Sequence, residues 1–284
     1  MPGSNQAVEI SKVDGSRTTS THDSVAVEEP LEIQLTSCSA GGSAAKSVSI
    51  TMRTPGDDRE LALGFLFTEG IIQSADQVVS VRHCGQADAD SGFENTVRVE
   101  IRPDVDLQLD RLQRHFYTTS SCGVCGKASL DALRVTGQAS LAAHQTAFAR
   151  QLLIEMPDRV RKRQPLFSQT GGLHAAAVFR PDGEIVVVKE DVGRHNATDK
   201  AIGFLFSAGR LPAHDLALLV SGRASFELMQ KTLVAGIPLL AAVGAPSSLA
   251  VQTAKEFDMT LIGFLRDGTF NIYAGPERVS QGVS

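Results

Sequence analysis

Apolar and polar positions alternate along VAVEEPLEIQL (25–35) and KSVSITMRTP (46–55), which predicts two strands joined through the SAGGSA region. DDRELALGFLFTEGII (57–72) places acidic residues in a first turn and apolar ones at helical spacing, so it reads as a helix ending near Gly70. VVSVRHC (78–84) and NTVRVEIRP (95–103) read as a further strand pair. The chain to about residue 110 therefore has antiparallel, α+β character.

Beyond residue 165 the alternation stops. EIVVVKE (184–190), LALLVSG (216–222), PLLAAVG (238–244) and MTLIGFL (259–265) are short unbroken apolar runs, as expected of strands buried on both faces. Helical stretches separate them at HNATDKAIGFLFSAG (195–209), ASFELMQKTLVAG (224–236) and SSLAVQTAKEF (247–257). Strand and helix in strict succession predict an α/β sheet covered on both sides. The expected division is a flexible arm at 1–24, an α+β lobe at 25–110, a CxxC loop with a connecting helix at 111–165, an α/β core at 166–275 and a tail at 276–284.

Composition narrows the function classes. The 284 residues are 42% hydrophobic and 21% charged, ordinary for a globular protein. No apolar run reaches the roughly 18–20 residues that cross a bilayer, and the polar amino terminus lacks the pattern of a secretory signal. The expectation is a cytoplasmic protein with no membrane partner. A net charge of −5 argues against a general nucleic-acid binder.

Chemistry concentrates first at TTSSCGVCGK (118–127). If KASLDALRV is helical, Cys122 and Cys125 stand at or before a helix amino terminus, where the dipole favours a thiolate. A thiolate attacks sulfur, either to open a disulfide or to accept a transferred atom. Gly123 and Gly126 leave room for a bulky partner. As half of a zinc site the pair lacks its complement, since Cys38, His83 and Cys84 offer no second CxxC. A thioredoxin-type pair would follow the first strand of a βαβ unit, which is not seen. Two structural cysteines in a glycine-rich turn are the plain alternative.

Three polar turns follow predicted core strands. KEDVGRHNATDKAIG (189–203) brings Asp191, Gly193, Arg194, His195 and Asn196 to the position where α/β sheets bind ligands, although it also suits an ordinary turn with Asn196 as helix cap. LVSGRASFE (219–227) offers Ser221, Gly222, Arg223 and Ser225 to an anion, without a P-loop lysine. In GFLRDGTFNIY (263–273), Arg266 suits phosphate and Phe264 or Phe270 a purine, while Asp267-Gly268 equally forms a hairpin turn. His174 in TGGLHAAAVF lacks the following glutamate of zinc deaminases, so it reads as a pocket or core histidine. DRVRKRQ (158–164) reads as a solvated helix face.

Taken in order, LALGFLFTEGII, SSCGVCGK, TGGLHAAAVF, EDVGRHNATDKAIG, SGRASFELMQK and APSSLAVQTAKEFDMTLIGFLRDGTFNIY resemble the formate dehydrogenase accessory sulfurtransferase family, FdhD, over about residues 28–275. The resemblance implies an α/β fold: the α+β lobe plus a cytidine-deaminase-like three-layer α/β core, assembled as a homodimer. It implies a sulfur carrier that a cysteine desulfurase loads with a persulfide, on Cys122 with Cys125 in support. The sulfur passes to Mo-bis(molybdopterin guanine dinucleotide), a bound substrate, before that cofactor enters formate dehydrogenase. The family's segment for this guanine-nucleotide ligand maps onto Phe264, Leu265, Arg266, Asp267, Gly268 and Thr269; relatives often carry a second basic residue where Thr269 stands. No stably bound metal is expected. The alternative is a chaperone that binds the cofactor or a guanine nucleotide without transferring sulfur.

Overall fold

A computed structural model describes residues 3–37, 45–89, 91–105, 133 and 139–281. The amino-terminal lobe holds a four-stranded sheet in the order β4-β3-β6-β5, from β3 (Glu29–Ser37), β4 (Lys46–Arg53), β5 (Val78–His83) and β6 (Thr96–Ile101). β3 pairs antiparallel with β4 but parallel with β6, so the sheet is mixed where alternation alone suggested antiparallel pairing. Period-2 patterning fixes which residues face inward; it does not fix strand direction. Leu31, Ile33, Leu35, Val97, Val99 and Ile101 are the inward set, and helix α1 (Asp58–Thr68) covers them with Leu61, Leu63 and Leu66.

The core sheet has six strands in the order β13-β12-β11-β10-β8-β9. They are β8 (His174–Phe179), β9 (Ile185–Asp191), β10 (Ala217–Val220), β11 (Leu239–Ala242), β12 (Thr260–Arg266) and β13 (Thr269–Ala274). β10, β11 and β12 are parallel, and β8 runs against both β9 and β10. The carboxyl ends of β9 to β12 and the start of β8 therefore share one edge. Successive residues bury on opposite faces. Leu218, Val220, Leu240 and Leu261 meet α4 (Arg194–Ser207), α5 (Phe226–Val234) and α6 (Ser248–Glu256), while Ala217, Leu219, Leu239 and Ile262 meet α2 (Arg150–Arg161). α2 supplies Leu153, Met156 and Val160 to this second face at helical spacing. Three layers result, as the unbroken apolar runs require.

The lobes meet where α1 crosses α4. A Cβ on Gly64 would collide with the backbone of Asp199, and one on Gly203 with the backbone of Glu60. Both glycines are there to let two helix backbones touch. Polar anchors surround the crossing. Lys231 Nζ donates to Asp199 and to Thr68 Oγ1, each at 2.9 Å, and reaches Glu69 at 3.4 Å. Lys200 pairs with Asp191 at 2.8 Å and donates to Thr54 O at 2.9 Å.

Two segments depart from the sequence reading. Residues expected in a flexible arm pair as a hairpin of β1 (Asn5–Asp14) and β2 (Arg17–Ala26), turning at Gly15 with φ +57°. Gly15-Ser16, between the paired Asp14 and Arg17, is a two-residue hairpin turn whose signal the polar composition outvoted. The hairpin base rests on α3 (Pro165–Thr170), with Asn5 Nδ2 donating to Gln169 Oε1 at 2.7 Å. At the other terminus, β14 (Val279–Ser280) pairs in parallel with β7 (Phe148–Ala149), and Arg278 is fully buried. Residues 276–280 are thus pinned to the body, not a free tail.

Candidate functional site

The carboxyl edge of the core sheet gathers the predicted turns. After β9, the carboxylate of Asp191 accepts from Gly193 N at 2.8 Å, Asn196 Nδ2 at 3.1 Å and Thr54 N at 3.2 Å, besides its pairing with Lys200. Asn196 in turn donates to Met52 O at 2.7 Å. Asp191 and Asn196 therefore hold the lobes together, and Asn196 is not the helix cap, which is Gly193. Their partners lie about 140 residues away along the chain, so their role could not be read locally.

Arg194 and His195 open α4 and turn to the edge. A Cβ on Gly222 would lie 3.4 Å from His174 Nδ1 and 3.6 Å from Arg194 Cδ, so both side chains lie over that bare backbone. His195 Nε2 is 3.4 Å from Ser225 Oγ, at the amino terminus of α5. Burial, reinforced by Arg194 and Lys231, depresses His195 to about 4. Burial and Arg194 also lower His174. At Glu227, desolvation is outweighed by hydrogen bonds from Ser225 and its own backbone N–H and by His195 and Arg194, so its carboxyl titrates below the usual range. At neutral pH the cluster thus holds two neutral imidazoles, one guanidinium, one carboxylate and a hydroxyl. Ser221 is engaged elsewhere, accepting from Ala175 N at 2.9 Å, and Arg223 is exposed.

The β11–α6 turn completes the edge, and the sequence reading did not single it out. Gly244 N donates to Gly222 O at 2.9 Å, and Phe264 N donates to Gly244 O at 3.1 Å. Its position after a core strand and before a helix was the available signal, as for the turns after β9 and β10. Glu227 was likewise passed over.

At the far side, Phe264 has φ +54° beside an irregularity in the β12–β13 pairing. Arg266 and Thr269 are paired across the hairpin, with Asp267 at φ +53° and Gly268 at φ +72° between them, as a type I′ turn needs. Arg266 is exposed, its guanidinium 5.6 Å from the Phe264 ring centre. Thr269 Oγ1 donates to Arg266 O at 3.2 Å. Leu265 is fully buried in the face covered by α2, so its side chain serves packing.

Cys122 and Cys125 lie outside the described residues, as does Cys38. The chain that follows them is anchored at the opposite edge of the sheet. Leu141 N donates to Phe257 O at 3.0 Å, and Thr146 Oγ1 to His214 O at 3.3 Å, just before β12 and β10 respectively. Arg278 donates to Leu141 O and His144 O, each at 2.7 Å. Among the described residues no group of three or more His, Cys, Asp or Glu side chains is placed to hold a metal ion, and no helix is long and apolar enough to cross a membrane.

The sequence pattern of the FdhD/NarQ family matches residues 26–280. The sulfur carrier protein FdhD of Streptomyces avermitilis is 50% identical over 260 residues, covering 91% of this chain and 89% of that protein. Its counterpart in Mycolicibacterium paratuberculosis is 52% identical over 263 residues, covering 90% and 92%. That of Saccharolobus solfataricus is 39% identical over 257 residues, covering 90% and 91%. A solved structure from Desulfotalea psychrophila, described as a formate dehydrogenase accessory protein, shares the fold with a TM-score of 0.74 at 23% identity, over 98% of this chain and 100% of that one.

Proposed function

The chain belongs to the FdhD/NarQ family, and on that premise we propose that it is a cytoplasmic, homodimeric sulfurtransferase serving formate dehydrogenase. Cys122 carries the sulfur and Cys125 supports it. The Cys122 thiolate attacks the outer sulfur of a persulfide on a cysteine desulfurase, the desulfurase cysteine leaves as a thiolate, and the new S–S bond is on Cys122. The substrate that receives the sulfur is Mo-bis(molybdopterin guanine dinucleotide). Giving up the sulfur as sulfide breaks the S–S bond and restores the Cys122 thiolate, with two electrons supplied by a thiol reductant. If Cys125 attacks the inner sulfur instead, sulfide leaves and a Cys122–Cys125 disulfide closes.

The observation that supports this reading is a sheet edge suited to an anionic nucleotide, in a chain that also carries a CxxC. Phe264 offers a ring to a guanine and Arg266 a planar guanidinium to phosphate, at the end of β12 beside the Asp267-Gly268 turn. Relatives named as sulfur carriers are about half identical over nine-tenths of the chain.

The test is to incubate the protein with a cysteine desulfurase and cysteine, without reductant, and to measure intact mass. Uptake of one sulfur that survives Cys125→Ser and disappears in Cys122→Ser is expected. A wild type that takes up none, yet binds guanosine diphosphate, leaves a chaperone without sulfur transfer.

A further inference from the structure

We propose that His174, Arg194, His195 and Ser225 form a phosphoryl-binding subsite, separate from the Arg266 turn, that grips a diphosphate group of the nucleotide substrate. The proposal rests on the preceding reading for the identity of that substrate; the subsite itself rests on geometry.

The four groups come from three elements: the first residue of β8, the first turn of α4, and the residue before α5. They share one patch of bare backbone, since Gly222 lies within van der Waals reach of both His174 and Arg194. Gly244 N donates to Gly222 O and Gly244 O accepts from Phe264 N, so main-chain bonds link this patch to Phe264. Arg194 Nε is buried and, among the described residues, has no hydrogen-bond partner. A buried donor left unmatched is costly, and a ligand oxygen is the natural partner for it.

Charge favours an anion as well. The buried carboxylate of Asp191 is already matched by Lys200 at 2.8 Å. The charged and titratable groups that face His195 are Arg194, Lys231, Glu227 and His174; Lys231 is already paired with Asp199 and Glu69, so Arg194 is the cation left for a ligand. The amino termini of α4 and α5 both open at this edge and add partial positive charge. The unpartnered Arg194 Nε and the amino termini of α4 and α5 suit the non-bridging oxygens of a diphosphate.

The subsite is distinct from the Arg266 turn. β12 is separated from β8 by β11 and β10, three strand intervals that span roughly 14 Å at ordinary spacing. A nucleotide that reaches both places would cross the turns after β10 and β11.

The test is calorimetric titration of inorganic diphosphate, and separately of guanosine diphosphate, into the full-length wild type, R194Q and R266Q. Diphosphate affinity is expected to fall about 10-fold or more in R194Q, the loss of a charge-assisted contact, and to change little in R266Q. Binding should also take up a proton, read from the enthalpy difference between two buffers, because an anion beside His195 raises its affinity for one. Should R194Q prove unfolded by circular dichroism, H195Q serves instead and should abolish the proton uptake. Wild-type affinity in R194Q, loss only in R266Q, no diphosphate binding by wild type, or undiminished proton uptake in H195Q would each overturn the subsite. Sulfur loading of Cys122 on the same preparations separates the two readings. Diphosphate binding without sulfur uptake sinks the carrier alone. Sulfur uptake with unchanged diphosphate binding in R194Q sinks the subsite alone.

Discussion

Asp199 and Lys231 meet at 2.9 Å in the interior, and Thr68 from the other lobe donates to the same carboxylate oxygen at 3.0 Å. Thr68 from the lobe and Asp199 and Lys231 from two core helices thus form one buried polar knot. Burial lifts Asp199 to about 6 against the pull of Lys231. Lys231→Met removes the cation and leaves the carboxylate buried with Thr68 alone, so a loss of about 3–5 kcal/mol is expected in urea denaturation. The double variant D199L/K231M should lose clearly less than K231M, because no charge is left unmatched. Equal losses would show that the pair matters for its shape and not its charge.

The helix crossing is expected to be the most size-sensitive place in the molecule. Gly64→Ala or Gly203→Ala sets a methyl against main-chain atoms that cannot rotate away. Each should cost about 3 kcal/mol or more, the upper end of overpacking effects. Gly172→Ala, with only one distant neighbour at 3.9 Å, is the control and should leave the melting temperature within a few degrees.

Acid should loosen the protein through His195. Its proton affinity falls on folding, from the ordinary 6.5 to about 4, so the folded state binds fewer protons than the unfolded one. The stability this contributes is present above pH 6.5 and is lost as the pH falls through about 4. His195→Gln should flatten that part of the curve, read as melting temperature between pH 7.5 and 4. A wild-type NMR titration of the His195 ring with a midpoint near 6.5 would contradict the burial argument.

Arg278 governs the return of the chain from the CxxC segment. Arg278→Met strips the donors from Leu141 O and His144 O. A loss of about 2–4 kcal/mol is expected from two orphaned carbonyls. Hydrogen exchange should rise first in residues 139–146, ahead of β10 and β11.

What the sequence disclosed follows from what each signal measures. Unbroken apolar runs located β10, β11 and most of β12 because strands buried on both faces leave no polar position, whereas β9, at the sheet's edge, is half-buried and ends in Lys189, Glu190 and Asp191. Asp267-Gly268 located the β12–β13 turn because its backbone demands positive φ. Asp191 and Asn196 looked like candidates for a ligand because polar residues in a turn look alike, whether they face solvent or a distant segment of the same chain. Only the fold reveals that Thr54 and Met52 claim them. The hairpin of β1 and β2 escaped because it buries little apolar surface, and hydrophobic patterning is blind to a ribbon held by backbone bonds. His195 and Ser225 were each visible, but their meeting across two turns was not.

The Gly64–Gly203 contact also sets an order of events during synthesis. The helix that covers the amino-terminal sheet has its second face built from residues 194–207, so that lobe cannot finish packing when it leaves the ribosome. It must wait, partly assembled and with a helix face bare, until about a hundred further residues have been added. A nascent chain stalled before Gly203 is therefore expected to be a client for chaperones, whereas one extended past β13 is not.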